Sequence, residues 1–242
     1  MSLDDLAPLF ILGFFAVGFV LERVCAARPL QRVRGWWLRG ALFFVSTMAL
    51  NALVPMWVAE RLSGFSPLRL SNLGTLAGGA LTLVCTDLIS YWLHRIQHRS
   101  PTLWRWTHQI HHSAERVDVL GAAYFHPFDI ALQALLSTIV VVALGVSANA
   151  AALGGIATVF LAVFQHLNVR TPVWLGYLVQ RPEGHSVHHA RGVHAYNYGN
   201  LGLWDLVFGT FRNPAQFSAE AGFFEGASGR VWPMLLGRDI QR

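Results

Sequence analysis

The chain carries 11 histidines, and most of them fall in three tight clusters. His94 and His98 stand four apart in H-R-I-Q-H, His108, His111 and His112 form H-Q-I-H-H, and His185, His188 and His189 form H-S-V-H-H. Residues three and four apart share one face of a helix, about 5–6 Å between Cβ atoms, so each cluster is expected to aim its imidazoles at one point. Neutral imidazole is the commonest side-chain metal ligand. One such cluster is weak evidence, since it can equally be a polar interfacial face or a pH sensor. Three in one chain read as metal binding. An all-imidazole set suits Zn, Fe, Cu or Ni. Four ligands close a structural zinc tetrahedron, whereas twice that number points to two ions with exchangeable positions. A site beneath an apolar bundle invites a greasy substrate, and attack on an unactivated C–H bond there calls for iron and O2. The spacing alone leaves zinc open.

The elements that must hold these rings follow from the composition. The chain has 242 residues, 54% hydrophobic and 13% charged, with a mean hydropathy of +0.42. Soluble domains carry about 25% charged residues, so an ordinary soluble globule and a disordered chain are both excluded. The net charge is +5 and all 18 basic residues are Arg. A nucleic-acid partner would need a basic patch on a soluble fold, and none is expected here.

A membrane-spanning helix needs roughly 20 apolar residues. Gly40–Ala59 carries no charge, Leu70–Thr86 continues apolar through Leu93, and Ile130–Val169 is twice the required length with His166 as its one ionisable side chain. That last stretch predicts two spans joined near Gly145–Asn149. Leu6–Leu21 is shorter, but Val24–Ala27 extends it if Glu22 and Arg23 snorkel. The reading is an all-α integral membrane bundle of four to five spans forming a single membrane domain over residues 1–242. The first segment follows Asp4 and Asp5 rather than a basic stretch, so it is expected to be a retained helix rather than a signal peptide.

Orientation comes from Arg23, Arg28, Arg32, Arg34 and Arg39 between the first two spans, which by the positive-inside rule lie in the cytoplasm. Alternation then places the N-terminus outside, and the C-terminus and both histidine-bearing polar stretches, His94–Phe125 and Val169–Arg242, inside. Cys25 and Cys85 are expected to be small buried hydrophobes. Trp104, Trp106, Trp174 and Tyr177 read as interfacial anchors. The tail beyond Phe211 suggests no role.

The order H-x-x-x-H, H-x-x-H-H, H-x-x-H-H between paired spans resembles the fatty acid hydroxylase/sterol desaturase superfamily of integral-membrane di-iron proteins. Asp87–His98 (D-L-I-S-Y-W-L-H-R-I-Q-H) is similar to its first motif and His108–Glu115 to its second. G-H-S-V-H-H with N-Y-G-N and L-W-D-L-V-F-G-T-F, within Gly184–Phe211, is similar to its last. The likeness runs over residues 73–211. It implies a helical membrane base under a cytoplasmic cap holding two irons, with O2 as co-substrate and a lipid as substrate. Electrons would come from a separate donor, a ferredoxin or a cytochrome b5-like protein with its reductase. It implies His94, His98, His108, His111, His112, His185, His188 and His189 as ligands. His166 is a ninth candidate, although the position four residues before it is Ala162 where some members have histidine. His126 is a tenth candidate, and His194 reads as an outer or surface residue.

An intramembrane carboxylate is a functional candidate by default. Asp87 is expected to orient a ligating histidine or to pair with Arg95, Arg99 or Arg105. Glu115, Asn168, Asn197 and Asn200 are similar supporting candidates, and Asp205 reads as structural. The expectation is a di-iron lipid hydroxylase attacking an acyl, sterol-like or headgroup carbon. The alternatives are a desaturase on the same scaffold and a zinc-dependent membrane hydrolase with Glu115 as general base.

Overall fold

The computed structural model describes residues 2–241. Among them the extended pairings are isolated bridges rather than strands, and the rest of the regular structure is helical. The long helices are α1 (Leu3–Val24), α2 (Trp36–Arg61) and α3 (Gly74–Arg99). Two short helices follow, α4 (Pro101–Leu103) and α5 (Gln109–His112), joined by a π-helical turn over Trp104–His108. The chain returns to long helices with α6 (Pro127–Leu144) and α7 (Ala148–His166), and closes with short α8 (Pro182–His188), α9 (Gly202–Val207) and α10 (Val231–Leu235).

Among the described residues, five helices are long and apolar enough to cross a membrane: Asp5–Val24, Trp36–Arg61, Ser71–Arg99, Pro127–Leu144 and Ala148–His166. Their outward faces expose Leu9, Leu12, Val20, Leu42, Val45, Met56 and Leu76, an apolar surface that a soluble protein could not tolerate. The chain is a multi-pass membrane protein.

Local sequence sets the helix ends. At the start of α1, Ser2 Oγ accepts from Asp5 N–H while the Asp5 carboxylate accepts from Ser2 N–H, a reciprocal cap. Helix α6 has Pro127 at its first position, where the missing N–H costs nothing. It stops at Gly145 with φ 61°. Ser147 then caps α7 by accepting from Ala150 N–H. Gly145 also meets Ser66 so closely that a Cβ there would collide with its hydroxyl. The α2–α3 connection seals this end, since Leu68 and Leu70 donate to the terminal carbonyls of Ala143 and Leu144.

Small residues bring α3 against α7. A Cβ on Gly154 would sit 2.6 Å from Thr82, and one on Gly78 or Gly79 would sit 2.8 Å from Ala150 or Leu153. In a bilayer, where apolar burial gives no drive between helices, such close backbone packing holds them together. It fixes the end of α3, with His94 and His98, relative to the end of α7, with His166.

All the histidine segments lie at one end of the bundle, and so does the Arg-bearing α1–α2 connection. Ala27 N–H donates to Asn168 O at 2.8 Å, the Arg28 guanidinium to Ser218 O, Arg39 to Ser228 Oγ at 3.3 Å and Arg116 to Gln31 O at 3.2 Å. The opposite end carries the Gly145 turn and the start of α1, where Leu3 N–H meets Asn149 Oδ1.

The C-terminal tail, silent in the sequence, closes the cap. Ala227, Met234 and Ile240 are buried with Trp36, Ile110 and Tyr124. Gln109 donates to Arg238 O and accepts from Ile240 N–H, so the tail clamps the segment bearing His108–His112. Two further expectations change. Cys25 is exposed, because the helix ends at Val24 before it. Trp104 is buried against His98 and His112 instead of facing an interface, whereas Trp106, Trp174 and Tyr177 are exposed as anchors require.

Candidate metal centre

Nine histidines gather at the cap end in two groups. His94, His98, His108, His112 and His188 form one, and His111, His166, His185 and His189 form the other. Within each group, one ligand-capable atom per residue lies within 4.8 Å of every other. The sequence motifs therefore divide differently from expectation. Each H-x-x-H-H straddles both groups: His108 and His112 turn to the first while His111 turns to the second, and His185 and His189 turn to the second while His188 turns to the first. The i, i+4 pairs share a target and the third ring faces the other way. The π-helical turn ending at His108 sits where such bulges recur, at functional sites.

In the five-histidine group each Nε2 is buried with no hydrogen-bond partner, while four of the five rings are held from behind through Nδ1. His94 donates to Tyr198 O at 2.8 Å and His188 to Tyr196 O at 2.7 Å. His108 Nδ1 meets Asp129 Oδ2 at 2.7 Å, and His112 Nδ1 meets His194 Nδ1 at 3.1 Å. The fifth ring, His98, packs against Trp104. Metal-binding histidines almost always give their other nitrogen to such an acceptor, which fixes the tautomer and leaves the lone pair aimed at the ion. Five convergent orphaned lone pairs fit a metal ion and little else.

The four-histidine group converges through Nε2 itself. His185 to His166 and His189 to His185 are both 3.1 Å, and His166 to His111 is 3.3 Å. Nitrogens bound at about 2.0–2.1 Å around a common ion stand roughly 3.0–3.4 Å apart, so this set also fits. His166 Nδ1 donates to Ala162 O at 2.6 Å, but Nδ1 of His111, His185 and His189 has no partner. Packing orients these rings instead. Phe125 stacks on His111 with ring centres 3.8 Å apart and planes 11° from parallel.

Burial, reinforced by neighbouring histidines, pushes His111, His112, His185, His188 and His189 well below the ordinary histidine range. The rings are neutral, the state in which imidazole binds metal. Burial also lowers His194 to about 4.

The supporting structure is built from few residues. Tyr196, Asn197 and His194 all have positive φ, at 68°, 51° and 40°. Residues other than glycine rarely adopt this conformation, which persists only where surroundings impose it. The surroundings here are two buried carboxylates and an amide. Asp205 accepts from the N–H groups of Tyr198 and Gly199 and from Thr210 Oγ1. Asp87 accepts from Asn200 N and Nδ2 and from Leu201 N. Asn197 donates to Gly184 O and Arg212 O and accepts from Arg212 N–H. This bent loop turns the carbonyls of residues 196 and 198 toward the histidines. Helix α8 is anchored separately, by buried Arg181 on Glu183 at 3.0 Å with Thr171 and Asn213 around them.

The sequence-derived supporting residues fall elsewhere than expected. Asp87 contacts neither a histidine nor an arginine; it holds the loop that does the orienting. Glu115 Oε1 accepts from Ser228 N–H, tying down the tail. Asn168 donates to Arg28 O and gives its N–H to Glu22, stitching α7 to α1. His126 lies in neither group: its Nδ1 caps α6 through Phe128 N–H and its Nε2 faces Leu235 O at 3.4 Å. Asn200 joins Asp87 to Gln165, and Asp205 is structural as read. Asp129, which no sequence motif marks, is among the described residues the one carboxylate bonded to a grouped histidine. It is buried on the first turn of α6, where Gln97 and Gln133 also donate to it. An acidic residue on the first turn of an apolar span, three past a histidine, was the available signal.

Apolar spanning helices under a cap of convergent imidazoles define a membrane protein with a candidate two-metal centre. Residues 79–210 match the model of the fatty acid hydroxylase family, more than half the chain, and the protein belongs to that family. It is 34% identical over 144 residues to an ornithine lipid hydroxylase of Rhizobium tropici, covering 57% of this chain and 43% of that one. It is 28% identical over 162 residues to a Delta(7)-sterol-C5(6)-desaturase of Nicotiana tabacum, covering 63% and 57%. It is also 27% identical over 237 residues to a lathosterol oxidase of Rattus norvegicus, covering 87% and 74%. The chain spans about half the length of the first of these relatives. No solved structure matches it.

Proposed function

We propose that this protein is an O2-dependent di-iron hydroxylase acting on a lipid C–H bond. The observation that carries the reading is the pair of histidine groups with their lone pairs convergent on two points. His94, His98, His108, His112 and His188 hold one iron, and His111, His166, His185 and His189 hold the other. Bound there, the irons supply the reductive activation of O2 that an unactivated C–H bond demands. The chain supplies the rest. Its burial keeps the imidazoles neutral. Asp129 and the loop carbonyls lock their orientation. The apolar spans hold the lipid tail while the cap positions the reacting carbon. Electrons come from a separate donor, a ferredoxin or a cytochrome b5-like protein with its reductase. By the positive-inside rule the Arg-bearing connection is cytoplasmic, and the histidine groups share its end of the bundle; the N-terminus is then outside.

Hydroxylation is favoured over desaturation by the higher identity to the ornithine lipid hydroxylase than to the sterol desaturase. A zinc hydrolase with Glu115 as base is disfavoured, because Glu115 lies in neither group and is bonded to Ser228. The test is metal analysis of protein purified without added metal, with O2 uptake measured on a lipid extract. About two irons per chain, O2 consumption and a product heavier by one oxygen support the proposal. A product lighter by two hydrogens selects the desaturase. Full activity with zinc, no O2 requirement and a hydrolysed product overturns it.

A further inference from the structure

The sequence reading left His194 as an outer or surface residue, and it belongs to neither histidine group. Its position is more specific than that. Its ring lies edge-on to His112, with centres 5.1 Å apart, and is cradled by Trp104 at 5.9 Å and Phe223 at 5.2 Å. With His98, Trp104, Arg191 and Phe223 it lines an open cleft of about 670 Å³ on the cap, so it stands between that cleft and the five-histidine group. Its backbone has φ 40°, a conformation in which histidine, like asparagine and aspartate, is several-fold enriched over other non-glycine residues.

We propose that His194 is a positioning residue for the five-histidine group, its side chain accepting the proton of His112 Nδ1. The inference rests on the metal reading above. The direction of the first bond follows from the neighbouring atoms. His112 Nε2 is the orphaned atom, convergent with four others. For it to carry a lone pair, the ring must bear its proton on Nδ1. The Nδ1 of His194, 3.1 Å away, is then the acceptor, and His194 carries its own proton on Nε2. A residue outside the group thereby orients one of its five ligands, as Asp129 and the carbonyls of Tyr196 and Tyr198 orient three others.

Three variants separate the side chain from the backbone. His194→Asn keeps an acceptor at the same bond distance from the chain and tolerates positive φ. His194→Gly relieves the backbone but removes the acceptor. Phe223→Leu loosens the same wall without touching the hydrogen bond. Each is purified in detergent, checked for an unchanged thermal midpoint, loaded with cobalt(II) and read by metal per chain, ligand-field spectrum and loss to a chelator. Losing an outer partner of a metal-bound histidine weakens binding roughly 10–100-fold. The expected result is that loss from His194→Gly, with an altered spectrum, while His194→Asn and Phe223→Leu stay close to wild type. Should His194→Gly fail to insert, His194→Asn against His194→Leu reads the same difference. Wild-type affinity and spectrum in the acceptor-free variant overturn the inference, as does equal loss in His194→Asn. If the wild-type protein itself holds no metal, the metal reading fails and this inference with it, whereas wild-type metal binding left unchanged in His194→Gly overturns this inference alone.

Discussion

The two histidine groups share the same two H-x-x-H-H motifs, completed by His94 and His98 in one and by His166 in the other, yet they are held by different means. In the five-histidine group four of the five rings have Nδ1 tied to a carbonyl, a carboxylate or another imidazole. In the four-histidine group only His166 is tied in that way, and His111, His185 and His189 rely on packing. The first group also borders an open cleft through His98, whereas all members of the second are buried. Outer hydrogen bonds raise ligand basicity and fix geometry. On the proposed metal reading, the contrast makes the first group the tighter, preorganised site, and the second the one whose coordination can adjust during turnover.

The largest expected effect comes from removing a ring. His188→Ala and His185→Ala should each abolish turnover while leaving membrane insertion intact, and each should lower metal content from two per chain to one. If the groups were one undivided cluster, both variants would lose both ions. Supplying metal below two equivalents sharpens the comparison: the ion should fill the five-histidine group first, so His185→Ala should bind the first equivalent like wild type and His188→Ala more weakly.

Anchors come next. Removing one partner of a buried ion pair costs about 3–5 kcal/mol, so Arg181→Ala should lower thermal stability by about that much and displace α8 with three of the nine rings. Asp129→Asn should cost roughly 10–100-fold in activity or metal affinity. Because Asp129 meets His108 alone among the grouped histidines, the loss should fall on the five-histidine group. The smallest effect is in the scaffold. Gly154→Val overpacks the α3–α7 contact against Thr82, and such overpacking costs about 1–3 kcal/mol. It should shift His166 relative to His94 and His98, and a thermal melt with residual activity would show whether both groups or one suffers.

The spans were legible because bilayer thickness imposes a length and an apolar character that survive in composition. The Ile130–Val169 run divided at Gly145, as its Gly-Val-Ser turn implied. The Arg-bearing connection lies at the histidine end of the bundle, as alternation required. The histidines were legible as a set that must come together, and nine of them do. Their division was not. Helical spacing groups His108, His111 and His112 on one face, but the π-turn before them and the approach of α8 assign them to two targets. The orienting partners were hidden for a different reason. Tyr196 and Tyr198 act through backbone carbonyls, which every residue type possesses. Asp87 looked like a ligand's partner because a buried carboxylate must have one, and its partners turned out to be backbone N–H groups of the loop. Asp129 escaped because it stands beside an apolar run rather than within it.

The most direct test of the central claim, two separate and unequal metal sites, is Mössbauer spectroscopy of protein grown on isotopically enriched iron. Two iron environments of equal area are predicted, one of which disappears in His185→Ala and the other in His188→Ala. A single environment, or one iron per chain in the wild-type protein, would contradict it.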